Sequence, residues 1–230
     1  MNRRMSRLAR GAMLGVGAAA GYASLVAWNR WRYGSPTSAP SDPVLDRFIP
    51  SPEVAEHHEI AVAAPAAVVL AAAKQMRALD IPLVSTIFKL RELALGGEPD
   101  RRQHPQGLLD QMLSIGWVIL AEIEGREIVL GAVTRPWEAT PAFRSIPAEA
   151  FASFAEPGYV KIVWTLRADP VDETHSLFST DTVVATTDAA ARRRFRRYWS
   201  YVAPGARLIR FAMLRPLKRE AERRTGKMAA

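Results

Sequence analysis

Cysteine is absent from the 230 residues. That excludes a disulfide scaffold, a thiolate zinc site and a cysteine nucleophile. Histidine is scarce, with four in the chain, and the four form no ligand set. His57 and His58 are adjacent, so on a strand they point to opposite faces. His104 falls in a loop and His175 at a strand start. No H-x-x-x-H spacing occurs, and no metal site is expected. The G-x-S-x-G elbow, the P-loop and the dinucleotide fingerprint are also missing. Serine hydrolysis and nucleotide chemistry therefore find no support, and no cofactor is expected. Repeats are absent, and Pro and Gly are too dispersed for a low-complexity chain.

Acidic residues are missing from one end and nearly missing from the other. Residues 1–32 hold six arginines and no acid. Residues 192–227 hold 13 Lys and Arg against Glu220 and Glu222. The intervening body is net acidic, so the overall charge of +8 describes the two ends. Such asymmetry suits an anionic surface, either lipid headgroups or nucleic acid; a solvated basic helix balancing an acidic body is the plainer alternative.

Charge is missing altogether from Gly11 to Trp28. As a helix these 18 residues extend about 27 Å, close to the roughly 30 Å of a hydrocarbon core. Arginines flank both ends, and Tyr22, Trp28, Trp31 and Tyr33 supply interfacial aromatics. A retained membrane anchor is expected over residues 1–33. Two alternatives stand beside it: a signal peptide cleaved after the A-x-A at Ala18–Ala20, and a helix buried in a soluble core. Four arginines precede the span and two follow it, a bias that places the domain outside the cytoplasm. Cleavage would instead leave it secreted. Residues 34–54, with five prolines among Ser and Thr, read as an extended linker.

The body reads as α+β. Residues 56–63 alternate as a first strand. Pro65 opens a helix over 66–78, and Asp80 caps a second helical stretch to about Leu93. Leu108–Met112 is ambiguous. Residues 117–124 and 126–134 form a hairpin about Gly125, and 135–156 are irregular. Two more strands cover 159–167 and 174–186. Thr187 and Asp188 cap a final helix whose apolar residues, from Ala191 and Phe195 through Trp199 to Met213, recur every three or four positions. Pro204 should kink it.

The segments GWVILAEIEGREIVLGAVTRPW (116–137), PGYVKIVWTLRA (157–168) and the run around FRRYWSYVAPGARLIR resemble a bacterial branch of the START/polyketide-cyclase superfamily, also called SRPBCC. The resemblance covers residues 55–225, leaving 226–230 as a tail. It implies a helix-grip fold: a curved antiparallel sheet wrapped around a long C-terminal helix, with a hydrophobic cavity between them. Members of that superfamily bind lipids, sterols or polyketides, and some catalyse cyclisation or dehydration. No catalytic set carries over residue by residue.

The strands at 117–134 and 159–166 are apolar on both alternating faces, more than a sheet with one wet face needs. Trp117, Trp164, Phe178, Phe195 and Trp199 are therefore expected to line a cavity, with plain core packing the alternative for each. Asp181 and Glu122 are the candidate acids or bases for an enzyme, because a carboxylate among apolar walls has a raised pKa. Their alternative is a structural ion pair. The expected function is a membrane-tethered domain binding a hydrophobic small molecule or lipid. A cyclase/dehydratase-type enzyme and a ligand-free interaction domain are the other two readings. Arg192–Arg197 would then meet anionic headgroups; nucleic acid is the poorer fit for a tethered domain.

Overall fold

Every residue of Glu127–Thr134 (β3) is buried, which requires cover on both faces of the sheet at its centre. A computed structural model of the protein describes residues 17, 20–33, 42–96 and 107–228. In it, Val118–Ile123 (β2) turns back into β3 through Gly125, whose φ of +68° favours glycine. Phe143–Arg144 (β4) extends the β2 edge of β3. Val54–Val62 (β1), Val160–Pro170 (β5) and Ser176–Thr186 (β6) complete a curved sheet of order β1-β6-β5-β3-β2, antiparallel in every pair.

Strand alternation divides the side chains cleanly. Trp164, Phe178, Thr180 and Thr182 share one face, with His58 and Glu56 beside them on β1. That face is covered by Ala66–Gln75 (α3), Leu108–Ser114 (α5) and the long Ala189–Met228 (α7), with Pro82–Leu95 (α4) alongside. The opposite face carries Val129, Val163 and Val183, and packs under Pro43–Phe48 (α2) and Ala148–Phe151 (α6). Two cores therefore account for the doubly apolar strands.

The expected elements recur with four differences. Residues 43–48 lie within the expected extended linker but form α2. Asp42 caps this helix by accepting from the Val44 N–H at 2.8 Å, and Leu45, Phe48 and Ile49 are buried on the sheet. Pro43 there starts a helix instead of stiffening a spacer. Asp80 does not cap α4; it lies in the 3₁₀ turn Ala78–Asp80 and pairs with Arg77 at 3.0 Å. The ambiguous 108–112 is helical, and 135–156 contains β4 and α6.

At the start of α7 Asp188 does cap, accepting from the N–H groups of Ala190 and Ala191. Those bonds, with one from Gly158, hold its carboxyl below the usual range. The helix continues through Pro204 and Pro216, each of which withholds one helical N–H.

Residues 20–32 form α1, which docks on α7 through one stripe. Tyr22 Oη donates to the Tyr201 carbonyl at 2.7 Å, and Asn29 is buried against Arg207 at 3.0 Å. The Arg30 carbonyl accepts from Arg196, and Tyr33 meets Phe195 edge-on. Leu25, Trp28 and Trp31 face outward. Among the described residues no helix is long and apolar enough to cross a membrane. Residues 11–16, 18 and 19 of the expected span lie outside the described residues.

Candidate functional site

Between the middle of α7 and the sheet lies a cleft of about 2310 Å³. Ile162 and Trp164 form its sheet wall, Val202 and Ile209 its helix wall, and Trp117 and Phe143 one side. The walls follow from two periods meeting: β5 presents every second residue, and α7 every third or fourth. The side chain at Gly131, on the sheet's other face, is limited to hydrogen because a Cβ there would meet Leu120 at 2.5 Å and Phe151 at 2.9 Å.

Arg210 stands in the cleft. It is hemmed by protein on nearly every side, yet part of it faces the open space. Its Cζ lies 4.5 Å from the centre of the Trp164 ring. Its Nη2 donates to Thr182 Oγ1 at 2.9 Å. The ring beneath is locked, because Trp164 Nε1 donates to Thr180 Oγ1 at 2.7 Å and Thr180 donates on to the Thr165 carbonyl. Burial pushes the Arg210 pKa down to about 10, against a weaker pull from Glu56. The guanidinium is still charged at neutral pH. Glu56 itself is held by Arg207 at 2.6 Å. Behind Arg210 sits a pocket of about 20 Å³ bounded by Phe178, Leu166 and Leu217.

Of the five expected lining residues, Trp117, Trp164 and Trp199 border the cleft, and Phe178 borders only the small pocket behind it. Phe195 borders neither. It is buried among Tyr33, Tyr198 and Trp199 at the N-terminal end of α7.

Asp181 and Glu122 are both outside the cleft. Asp181 points to the opposite face of the sheet, where its Oδ1 lies 2.7 Å from His57 Nδ1. The structural ion pair expected as its alternative is thus made with His57. Glu122 meets Lys74 of α3 at 2.5 Å on the surface.

The two neighbouring histidines titrate in opposite directions. Burial lowers His57, but the carboxylates of Asp181 and Glu59 outweigh it and its pKa is raised. Burial dominates at His58, packed edge-on to Phe211, and its pKa is lowered. Stability from His57 is thus present below the ordinary value of about 6.5 and is lost as pH rises through its folded pKa. His58 acts oppositely: its neutral folded form costs stability as pH falls below about 6.5. NMR titration is expected to find His57 above His58, and Asp181→Asn to bring His57 down toward its neighbour. An unmoved His57 would remove the ion pair.

In the sequence Arg210 is one of many basic residues of the last helix, with nothing in its immediate neighbours to set it apart. A signal existed: it follows Ala206 by four positions and precedes Met213 by three, so it borders the apolar stripe.

The chain matches no protein-family model and no curated protein. Among solved structures it is similar to a hypothetical protein from Helicobacter pylori, with 10% identity, 81% of this chain and 98% of that chain covered, and a TM-score of 0.40. It is also similar to the Zhui aromatase/cyclase of a Streptomyces strain, with 16% identity, 74% and 94% coverage, and a TM-score of 0.26.

Proposed function

We propose that this is a helix-grip domain of the SRPBCC type that binds a hydrophobic small molecule or lipid between its sheet and α7. The observation that carries the reading is the cleft itself: about 2310 Å³ with mainly apolar walls. Asp181 and Glu122, on which an acid–base cyclase reading rested, are both engaged elsewhere, which favours binding over that chemistry. The test is titration of the full chain with a fluorescent fatty-acid analogue, alongside mass spectrometry of small molecules extracted from the purified protein. Saturable binding is expected in the wild type. Ala206→Trp, which fills the cleft from α7, should weaken it by about tenfold or more while the thermal midpoint holds. Absence of saturable binding by wild type would end the reading.

The site of action in this proposal is a bilayer. The outward Leu25, Trp28 and Trp31 of α1 stand on the same docked unit as the exposed arginines 192, 193, 196 and 197. Aromatic and basic side chains together suit an anionic membrane interface. Residues 11–28 would supply the tether in a state in which Tyr22–Trp28 release α7 and enter the bilayer, with the domain on the extracytoplasmic side. Fractionation of cells expressing the full chain should recover it with membranes, and a reporter fused at the C-terminus should read as extracytoplasmic. Recovery in the soluble fraction would refute the tether.

A further inference from the structure

Among the described residues, every charged one that lines the cleft is an arginine. Arg194 and Arg197 stand near Tyr198 and Tyr201, and Arg210 stands deeper, over Trp164. No aspartate or glutamate lines it among the described residues. A buried cation ordinarily has a carboxylate partner, because an unpaired one is strongly disfavoured in an apolar setting. Arg210 has none within ion-pair distance among the described residues. Its hydrogen bond to Thr182 uses one of five guanidinium N–H donors. On the adjoining side, Trp117 Nε1 is buried without a hydrogen-bond partner among the described residues. The site thus holds unused guanidinium donors and positive charge beside apolar walls.

Resting on the binding reading above, we infer that the ligand is an amphiphile with an anionic, carboxylate-type headgroup, which pairs with Arg210 while its apolar body fills the cleft. The planar guanidinium fork suits a carboxylate bidentately. The locked Trp164 ring beneath and the hydrogen bond to Thr182 hold the guanidinium in place before ligand arrives, so little order is lost on binding.

The experiment measures binding of oleate and of its uncharged methyl ester to the full-length protein by displacement of a fluorescent probe. Wild type should prefer oleate by about tenfold or more. Arg210→Met should abolish the preference by weakening oleate alone, and Arg210→Lys should restore part of it. Arg194→Ala/Arg197→Ala, which leaves Arg210 in place, should keep the preference. Equal wild-type affinities for acid and ester would overturn the headgroup inference and leave the cleft as an apolar site. Loss of the preference in the Arg194/Arg197 variant, with Arg210→Met neutral, would reassign the headgroup to those two arginines. Binding of neither molecule, nor of the probe, would instead defeat the underlying reading. Thermal melts establish that each variant is folded; if Arg210→Met is not, Arg210→Gln replaces it.

Discussion

Phe195→Ala should lose about 3–5 kcal/mol of stability, a large share of the roughly 5–15 kcal/mol typical of a whole domain. Phe195 is 2% exposed. Its ring stacks on Trp199 at 5.8 Å, lies 6.1 Å from Tyr198, and takes Tyr33 edge-on at 6.0 Å. Val54, Val160 and Val184 close the cluster from the sheet. Truncation removes the ring's burial and leaves a void whose walls belong to a strand trio, a helix and the end of α1. These cannot collapse together without moving the sheet. The neighbouring Trp199→Ala should cost distinctly less, because Trp199 is only partly buried and borders the cleft. Urea melts of both variants decide this. Equal losses, or a Phe195→Ala loss below about 1 kcal/mol, would mean that the N-terminal end of α7 is not anchored as described.

Arg167→Met should cost about 3 kcal/mol at neutral pH, near the lower end expected when a buried pair loses one partner. Arg167 sits 3.1 Å from Asp42 and 3.2 Å from Glu127, its cross-strand neighbour in the β3–β5 register. Glu127 is 1% exposed, and its Oε1 accepts no hydrogen bond among the described residues. Removing the guanidinium leaves two carboxylates buried near each other without a countercharge. It also loosens the cap of α2, since Asp42 is that cap.

The pH dependence has a definite sign. Burial raises the Glu127 pKa, and Asp42 and Asp169 add to the rise, while Arg167 opposes it. The folded state therefore holds this proton where the unfolded chain has released it. Stability falls as pH rises from the ordinary glutamate value, about 4.3, through the folded pKa, and the cost persists above it. Without Arg167 the folded pKa climbs further. The deficit of Arg167→Met relative to wild type should accordingly shrink as the pH is lowered toward about 5. A deficit independent of pH would show that packing of the arginine stem, not charge, carries the effect.

Much of the architecture was legible. The strands of the meander, the turn at Gly125, the cap at Asp188 and the apolar stripe of α7 all follow from local periods and local turn chemistry. Helix α2 was not. A six-residue helix has little stability of its own, and its text, proline-flanked and Ser-rich, is that of a linker. It exists because Leu45 and Phe48 find a sheet face to cover. Phe195 and Trp199 are four residues apart on one stripe, yet only one of them borders the cleft. Spacing places both on one face of the helix but says nothing of where along that face the cleft begins.

The sequence by itself determined the α+β order, the long amphipathic last helix, and the apolar character of the central strands. Each is a property of residues near one another in the chain, where the hydrophobic period and backbone sterics act directly. Only the tertiary structure decided the chemistry of the cleft. The alternation of β6 separates Asp181 from Thr182, but which of them meets α7 depends on the side of the sheet where that helix packs. Asp181 accordingly pairs with His57, 124 positions away, and Thr182 receives Arg210 from α7. A charge on the edge of a helical stripe becomes either a solvated cation or a buried one according to where the helix stands on the sheet. That placement is settled by the whole core at once, through many small contacts between distant segments.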